Sequence, residues 1–72
     1  MKYAIVLEKS ATGYGVYVPD LPGCVAVAET DEEARSLIRD AIVLHLEGIQ
    51  ADGGPIPAPS SQVGYVEVSP AA

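Results

Sequence analysis

The stretch CVAVAETDEEARSLI (residues 24–38) decides the fold, because its apolar pattern changes character in the middle. Up to Glu29 the valines and alanines favour a β-strand. From Thr30 the pattern changes to that of a helix start, since Thr30 and Glu33 have the spacing of a capping box. The sequence therefore predicts a strand over residues 24–29 that passes directly into a helix.

The helix is predicted to run from Thr30 to about Gln50 and to stop at Asp52-Gly53-Gly54. Acidic residues fill its first turn (residues 31–33), where they suit the positive end of the helix dipole. Apolar residues and one histidine form a single stripe at helical spacing: Ala34, Ile38, Ala41, Ile42, His45 and Ile49.

Two more strands are predicted before this unit, over residues 2–8 and 14–19. The connections between the three strands are too short for crossovers, so the strands should form an antiparallel meander. In the second connection, Pro22 presets φ and Gly23 can supply a positive φ, as a type II turn requires.

After the helix, a Pro-rich connector over residues 53–61 leads to a predicted fourth strand over 63–68 and a short tail over 69–72. Residues 1–72 are thus predicted to form one α+β domain of order β-β-β-α-β. The length of 72 residues leaves no room for a second domain.

Both faces of the predicted sheet are apolar, although one helix can cover only one of them. In the first strand Tyr3, Ile5 and Leu7 lie on one side and Ala4 and Val6 on the other. The second strand sets Tyr14, Val16 and Val18 against Tyr17, and the third sets Val25 and Val27 against Cys24 and Ala26. An exposed apolar face of this kind is unusual in a monomer. We therefore expect a second copy or another protein to cover it, with a homodimer or a higher homo-oligomer as the expected assembly.

The charge points to basic protein partners. Ten acidic residues against four basic ones give a formal net charge of −6, which repels nucleic acids and anionic membrane surfaces. No apolar run approaches the length of a membrane span. Cys24 is the only cysteine, and this is compatible with a reducing cytoplasm.

Three motifs, in this order and spacing, resemble the HicB-like antitoxin domain over about residues 2–68. They are Val18-Pro19-Asp20-Leu21-Pro22-Gly23-Cys24, Thr30-Asp31-Glu32-Glu33-Ala34 and Ile56-Pro57-Ala58-Pro59-Ser60, and Gly13-Tyr14-Gly15 also fits. The resemblance implies a truncated RNase-H-like fold in which the last strand lies parallel to the first, with sheet order 3-2-1-4. It also implies a type II toxin–antitoxin role, in which the partner is HicA, a small basic RNA-cleaving toxin.

One departure from the family pattern concerns DNA binding. Full antitoxins of this type carry a C-terminal ribbon-helix-helix or helix-turn-helix segment, whereas this sequence ends at Ala72. Operator binding is therefore not expected of it.

The candidate catalytic residues have simpler structural explanations. His45 could act as a base or a metal ligand, but a packed position at the edge of the core explains it. Cys24 could be a nucleophile, but its strand position favours a small buried side chain. An RNase-H-type nuclease needs a carboxylate in the first strand, where this chain has Ala4-Ile5-Val6. We expect no enzymatic activity, cofactor or metal ion.

The sequence therefore predicts a protein-binding module that masks a basic toxin. A self-associating assembly protein without a toxin partner is the alternative, and a small-molecule or metal-dependent enzyme is the third hypothesis. Asp20 is expected to bond the backbone of its own turn. The predicted partner-binding residues are two tyrosines and three acids near the helix start: Tyr14, Tyr17, Glu29, Asp31 and Glu32.

Overall fold

The computed structural model describes residues 1–71 and contains three strands followed by one helix. The strands are β1 (Val6–Ser10), β2 (Gly13–Tyr17) and β3 (Val25–Ala28), and the helix α1 spans Asp31–Ala51. Both strand pairs are antiparallel, and the sheet order is β1-β2-β3. The predicted meander and α+β class are therefore confirmed.

The helix boundaries agree closely with the prediction. Thr30 is the N-cap in an extended conformation, and its hydroxyl accepts a hydrogen bond from the Glu33 backbone N–H at 3.1 Å. Asp52 is the C-cap, and Gly53 follows it with a φ of +76°. Local capping chemistry is enough to set both ends of this helix.

The β1–β2 connection is tighter than predicted. Ser10 pairs with Gly13, so only Ala11 and Thr12 lie between the strands. At Gly13, φ is +155° and an added Cβ would lie 2.4 Å from the carbonyl oxygen of Ala28. Glycine is therefore required here by close approach to β3 as well as by its backbone conformation.

The turn before β3 has the predicted chemistry. The Cys24 N–H donates to the carbonyl of Leu21 at 3.1 Å, and Gly23, at the third position of this turn, has a φ of +84°. Proline at the second position and a positive φ at the third define a type II turn. The turn places Leu21 and Cys24 inside the molecule.

The core lies between one face of the sheet and the helix. Its fully buried residues come from β2, the turn and the helix: Val16, Val18, Leu21, Cys24, Ala34 and Ile38. Partly buried side chains of the strands and the helix pack around them: Tyr3, Ile5, Leu7, Tyr14, Ala26, Ala28, Ala41, Ile42 and Leu46. Leu46 was not in the predicted stripe.

The predicted fourth strand is not confirmed by the structure. Residues 52–71 contain no strand, and neither the sheet order 3-2-1-4 nor the truncated RNase-H-like arrangement is found in residues 1–71. Residues 63–68 have strand-like composition, but no neighbouring strand supplies hydrogen bonds to them. A strand forms only where both composition and pairing are present. Residue 72 of the predicted tail lies outside the described residues.

The small core makes a direct test of the fold available. Leu21 is completely buried, so Leu21→Ala should lower the free energy of unfolding by about 2–5 kcal/mol. Urea unfolding followed by circular dichroism measures this loss. Leu44 is 71% exposed, and the matched control Leu44→Ala should change stability by less than about 0.5 kcal/mol. Equal losses in the two variants would contradict the assignment of the core.

Candidate protein-binding surfaces

An open cleft of about 650 Å3 lies where the strands meet the first turn of α1. Three carboxylates, those of Glu8, Glu29 and Glu33, line it together with Tyr14. No lysine or arginine is among the described residues of its lining. We call this feature the acidic cleft. It combines negative charge with an aromatic ring, which is a combination suited to a cationic protein surface.

The helix cap presents Glu33 to the acidic cleft. The Thr30 hydroxyl satisfies the backbone N–H of Glu33. The other half of the predicted capping box, a bond from the Thr30 N–H to the Glu33 carboxylate, is not found among the hydrogen bonds of residues 1–71. Glu33 therefore lines the cleft, and its carboxylate makes no bond to the cap.

Asp31, in the same turn of α1, forms an ion pair with Arg35. The Nε atom of Arg35 lies 2.6 Å from its Oδ1. Both side chains are exposed, so this i,i+4 ion pair adds at most about 0.5 kcal/mol to stability. Its main effect is to neutralise one of the three acids of the first turn, leaving Glu32 and Glu33 as the net negative charge there.

The five predicted contact residues fall on two different surfaces. Tyr14 and Glu29 meet at the acidic cleft, and Asp31 and Glu32 lie in the adjoining first turn of α1. Tyr17 lies on the opposite face of the sheet, because residues three apart on a strand point to opposite sides. Sequence reasoning missed Glu8 and Glu33 as cleft residues. The strand register, which pairs Glu8 with Gly15, could have revealed the first.

The second surface is the face of the sheet that the helix leaves uncovered, here called the outer face. Register pairs Val6 with Tyr17 and Tyr17 with Val25, so these three form one row across the sheet. Val27 lies in the next row, opposite Gly15. Tyr17, Val25 and Val27 are 39%, 63% and 79% exposed. The predicted uncovered apolar face is therefore present.

Comparison with known proteins identifies the family. The model of the family described as "HicB_like antitoxin of bacterial toxin-antitoxin system" matches residues 3–71. This chain belongs to the HicB-like antitoxin family. The resemblance drawn from the sequence motifs is thereby confirmed.

Two curated relatives illustrate the relationship. An uncharacterised 14.9 kDa protein of Haemophilus phage HP1 is 42% identical over 57 residues, which are 79% of this chain and 43% of that protein. Antitoxin HicB 2 of Photorhabdus laumondii is 35% identical over 69 residues, which are 94% of this chain and 50% of that protein. The chain thus spans about half the length of these relatives.

A solved structure shares the fold. A chain of the "HicA3 and HicB3 toxin-antitoxin complex" superposes with a TM-score of 0.70 at 28% sequence identity. The match covers 83% of this chain and 70% of that chain.

In this HicB-like chain, Asp20 connects two of the three family motifs. Its Oδ2 accepts hydrogen bonds from the backbone N–H groups of Ser60 and Ser61 at 2.9 and 3.0 Å. Its Oδ1 accepts from the hydroxyls of the same two serines at 3.1 and 2.7 Å. The prediction that Asp20 bonds its own turn is therefore wrong. The side chain instead anchors the chain after the helix, an arrangement called here the Asp20 anchor.

A second contact lies beside the Asp20 anchor. The hydroxyl of Tyr3 donates to the carbonyl oxygen of Pro57. Ile56 and Pro57 are half-buried, and every described residue after Pro57 is exposed. The Pro-rich connector is therefore held at Pro57 and at the two serines.

Cys24 and His45 lie together at a shallow depression of about 230 Å3. Burial raises the pKa of the Cys24 thiol, which disfavours the reactive thiolate. His45 is half-buried at the edge of the core, as the simpler explanation predicted. Within residues 1–71 no three His, Cys, Asp or Glu side chains are grouped so that they could hold a metal ion. No helix in residues 1–71 is both long enough and apolar enough to cross a membrane.

The Asp20 anchor predicts a specific pH response. Four donated hydrogen bonds stabilise the carboxylate, those from Ser61 most strongly, and lower the pKa of Asp20 from 3.8 to about 2. A lowered pKa means that the anchor contributes its full stability above about pH 4 and loses it as pH falls through about 2. The backbone amide resonances of Ser60 and Ser61 should therefore titrate with a midpoint near pH 2 in a ¹⁵N-edited NMR series.

The matched variants are Asp20→Asn and Asp40→Asn. An asparagine side chain has one acceptor oxygen and an NH₂ group in place of the second oxygen, and it does not ionise. Asp20→Asn should therefore shift both serine amides at neutral pH and remove their acid transition. Asp40 is exposed on the helix and accepts none of the side-chain hydrogen bonds found in residues 1–71, so Asp40→Asn should leave both features unchanged. A midpoint near pH 4 in the unsubstituted chain would contradict the anchor.

Proposed function

We propose that this chain neutralises a small basic toxin of the HicA type by binding it at the acidic cleft, and that it catalyses no reaction itself. The observation that carries the proposal is that Glu8, Glu29 and Glu33 line one cleft together with Tyr14. The described lining of this cleft contains no lysine or arginine. Membership of an antitoxin family and the likeness to a chain from a HicA3–HicB3 complex support the same function.

Electrostatics gives the cleft its selectivity. The net charge of −6 attracts a cationic protein over a distance of about a Debye length, which is roughly 8 Å at physiological ionic strength. The carboxylates of the acidic cleft then fix the orientation of the encounter. The same field opposes direct binding of nucleic acid, so any effect on RNA is exerted through the toxin.

Tyr14 supplies the apolar part of the contact. Its side chain packs partly against the core, so the ring is already held in place before a partner arrives. A rigid aromatic residue loses little conformational entropy on binding and buries a large area. Tyr14 surrounded by carboxylates therefore has the composition of an interface centre with a charged rim.

The remaining parts of the proposal follow from this mode of action. Binding of a toxin by shape and charge needs no cofactor or metal ion. The compartment is the cytoplasm, where Cys24 stays reduced and the RNA substrate of the toxin is found.

A second candidate function is self-association without a toxin, and the outer face favours it. Tyr17, Val25 and Val27 form an exposed apolar surface that charge complementarity does not explain. The two surfaces adjoin each other, because Val27 of the outer face also lines the acidic cleft, whereas Tyr17 and Val25 lie outside it.

Two double variants test the cleft, and each of them removes two negative charges. Glu29→Gln with Glu33→Gln removes two cleft carboxylates, and each surface ion pair lost should cost about 0.3–1 kcal/mol. Affinity for a HicA-type toxin should therefore fall roughly 3- to 30-fold at low salt. Isothermal titration calorimetry measures the affinity, and inhibition of RNA cleavage provides the functional readout.

The control pair, Asp40→Asn with Glu47→Gln, changes the net charge by the same two units at exposed helix positions outside the acidic cleft. It should weaken binding by less than threefold, and added salt should reduce the difference between the two pairs. Equal weakening by both pairs would show that only overall charge matters. Absence of any complex with the unsubstituted chain would refute the proposal.

A further inference from the structure

Gly15 is a glycine that the fold itself does not require. It lies in the middle of β2, where a glycine costs stability because its backbone has more conformations to lose on folding. Gly13 is required because its φ is positive and a Cβ there would collide with the carbonyl oxygen of Ala28. The φ of Gly15 is not positive. A Cβ at Gly15 would meet no heavy atom of residues 1–71 within 4 Å, its two chain neighbours aside.

The usual reasons for a glycine inside a strand are a bulge, a tight bend or the close approach of a ligand or another chain. The register of β2 continues without a bulge through Gly15 on both sides. The close approach of a partner is therefore the reason that remains for this glycine.

The space above Gly15 is a gap in the outer face. The register pairs Gly15 with Glu8 of β1 and with Val27 of β3, so the three residues form one row across the sheet. This row belongs to the outer face, because the adjacent Val16 is buried in the core and side chains alternate along a strand. Glu8 and Val27 are two strand spacings apart, about 10 Å, so the gap between them has the width of one side chain. We call this gap the Gly15 slot.

The two walls of the Gly15 slot differ in chemistry. Glu8 supplies a carboxylate, and the ion pair found within residues 1–71 joins Asp31 and Arg35 and does not involve Glu8. Val27 is 79% exposed and supplies apolar surface. Glu8, Gly15 and Val27 all line the acidic cleft, so the slot lies where the cleft meets the outer face.

We propose that the Gly15 slot receives an arginine side chain of the basic partner. This inference rests on the proposed function and names the chemical group that the acidic cleft recognises. The guanidinium pairs with the Glu8 carboxylate, and the methylene stem lies over Gly15 and against Val27. Tyr17 lies on the same face, two residues along β2, and its ring is 39% exposed. A flat guanidinium in the slot stacks on such a ring.

The chemistry of the slot favours arginine over other side chains. An apolar side chain would take the Glu8 carboxylate out of water without a partner, which is costly. A lysine ammonium is a compact and strongly hydrated charge, and it lacks the planar fork that pairs with both oxygens of a carboxylate. An acidic side chain is repelled by Glu8.

The test is a graded series at position 15, with affinity for a HicA-type toxin measured by isothermal titration calorimetry. Gly15→Ala should weaken binding roughly threefold and Gly15→Val about tenfold or more, because the larger side chain fills more of the slot. Folding should not suffer, since the added Cβ meets open space and both residues cost less backbone entropy than glycine. Urea unfolding should therefore give both variants a free energy of unfolding at least equal to that of the unsubstituted chain.

A matched control and a charge variant separate the slot from general effects. Gly64→Val makes the same replacement at an exposed glycine outside the acidic cleft, where an added Cβ also meets open space. It should change the affinity by less than about twofold. Glu8→Gln keeps the shape of the wall and removes its charge, and it should weaken binding roughly 3- to 10-fold at low salt.

A double-mutant cycle identifies the inserted group. Each arginine of the toxin is replaced by lysine in turn, and one of these replacements should weaken binding to the unsubstituted chain about tenfold. The same replacement should have little further effect on binding to Gly15→Val, because the slot is already filled.

The outcomes separate the slot from the cleft as a whole. A complex whose affinity is insensitive to Gly15→Val, or in which no toxin arginine is coupled to position 15, would overturn the slot and leave the proposed function standing. An equal loss of affinity in Gly64→Val would overturn the slot as well. If the unsubstituted chain forms no complex at all, the proposed function fails, and the slot fails with it.

Discussion

The packing of one helix against one face of a three-stranded sheet is the constraint on which the rest of the structure depends. Six buried residues, among them Leu21 and Ile38, form the centre of the core, and partly buried side chains pack around them. A helix covers a single face, so the alternation of side chains along each strand necessarily leaves the other face exposed. The outer face is therefore a direct consequence of how few elements the chain has, and it exists whatever the protein binds.

The same alternation separates two surfaces of unlike chemistry. Tyr14 and Tyr17 are three residues apart on β2, so one joins the acidic cleft and the other joins the outer face. The first surface attracts a charged partner through a long-range field, whereas the second offers only short-range apolar contact. The two surfaces meet at Val27, which lies on the outer face and also lines the acidic cleft.

Local signals in the sequence were sufficient for the helix and insufficient for contacts between distant residues. Thr30 and Gly53 mark the helix ends through bonds to their immediate neighbours, and both ends were predicted correctly. The fourth strand is not confirmed, and valine-rich composition alone does not determine which strand lies beside it. The prediction for Asp20 is wrong because its hydrogen-bond partners Ser60 and Ser61 lie 40 and 41 positions away in the sequence. The neighbouring residues of its own turn offer a simpler role that the sequence alone favours. In the acidic cleft, Glu29 is among the predicted contact residues and Glu33 is not, because a capping role already explains its position.

The Asp20 anchor fixes the point at which the exposed segment of residues 63–68 begins. Four hydrogen bonds fix the chain at Ser60 and Ser61, only two residues before the segment begins. A strand that starts from a fixed point at the sheet has fewer conformations to lose on pairing than one at the end of a loose connector. Proline at positions 55, 57 and 59 acts in the same direction, because it restricts the connector before the anchor. The contacts that hold the connector thus also limit the conformations open to the segment that follows it.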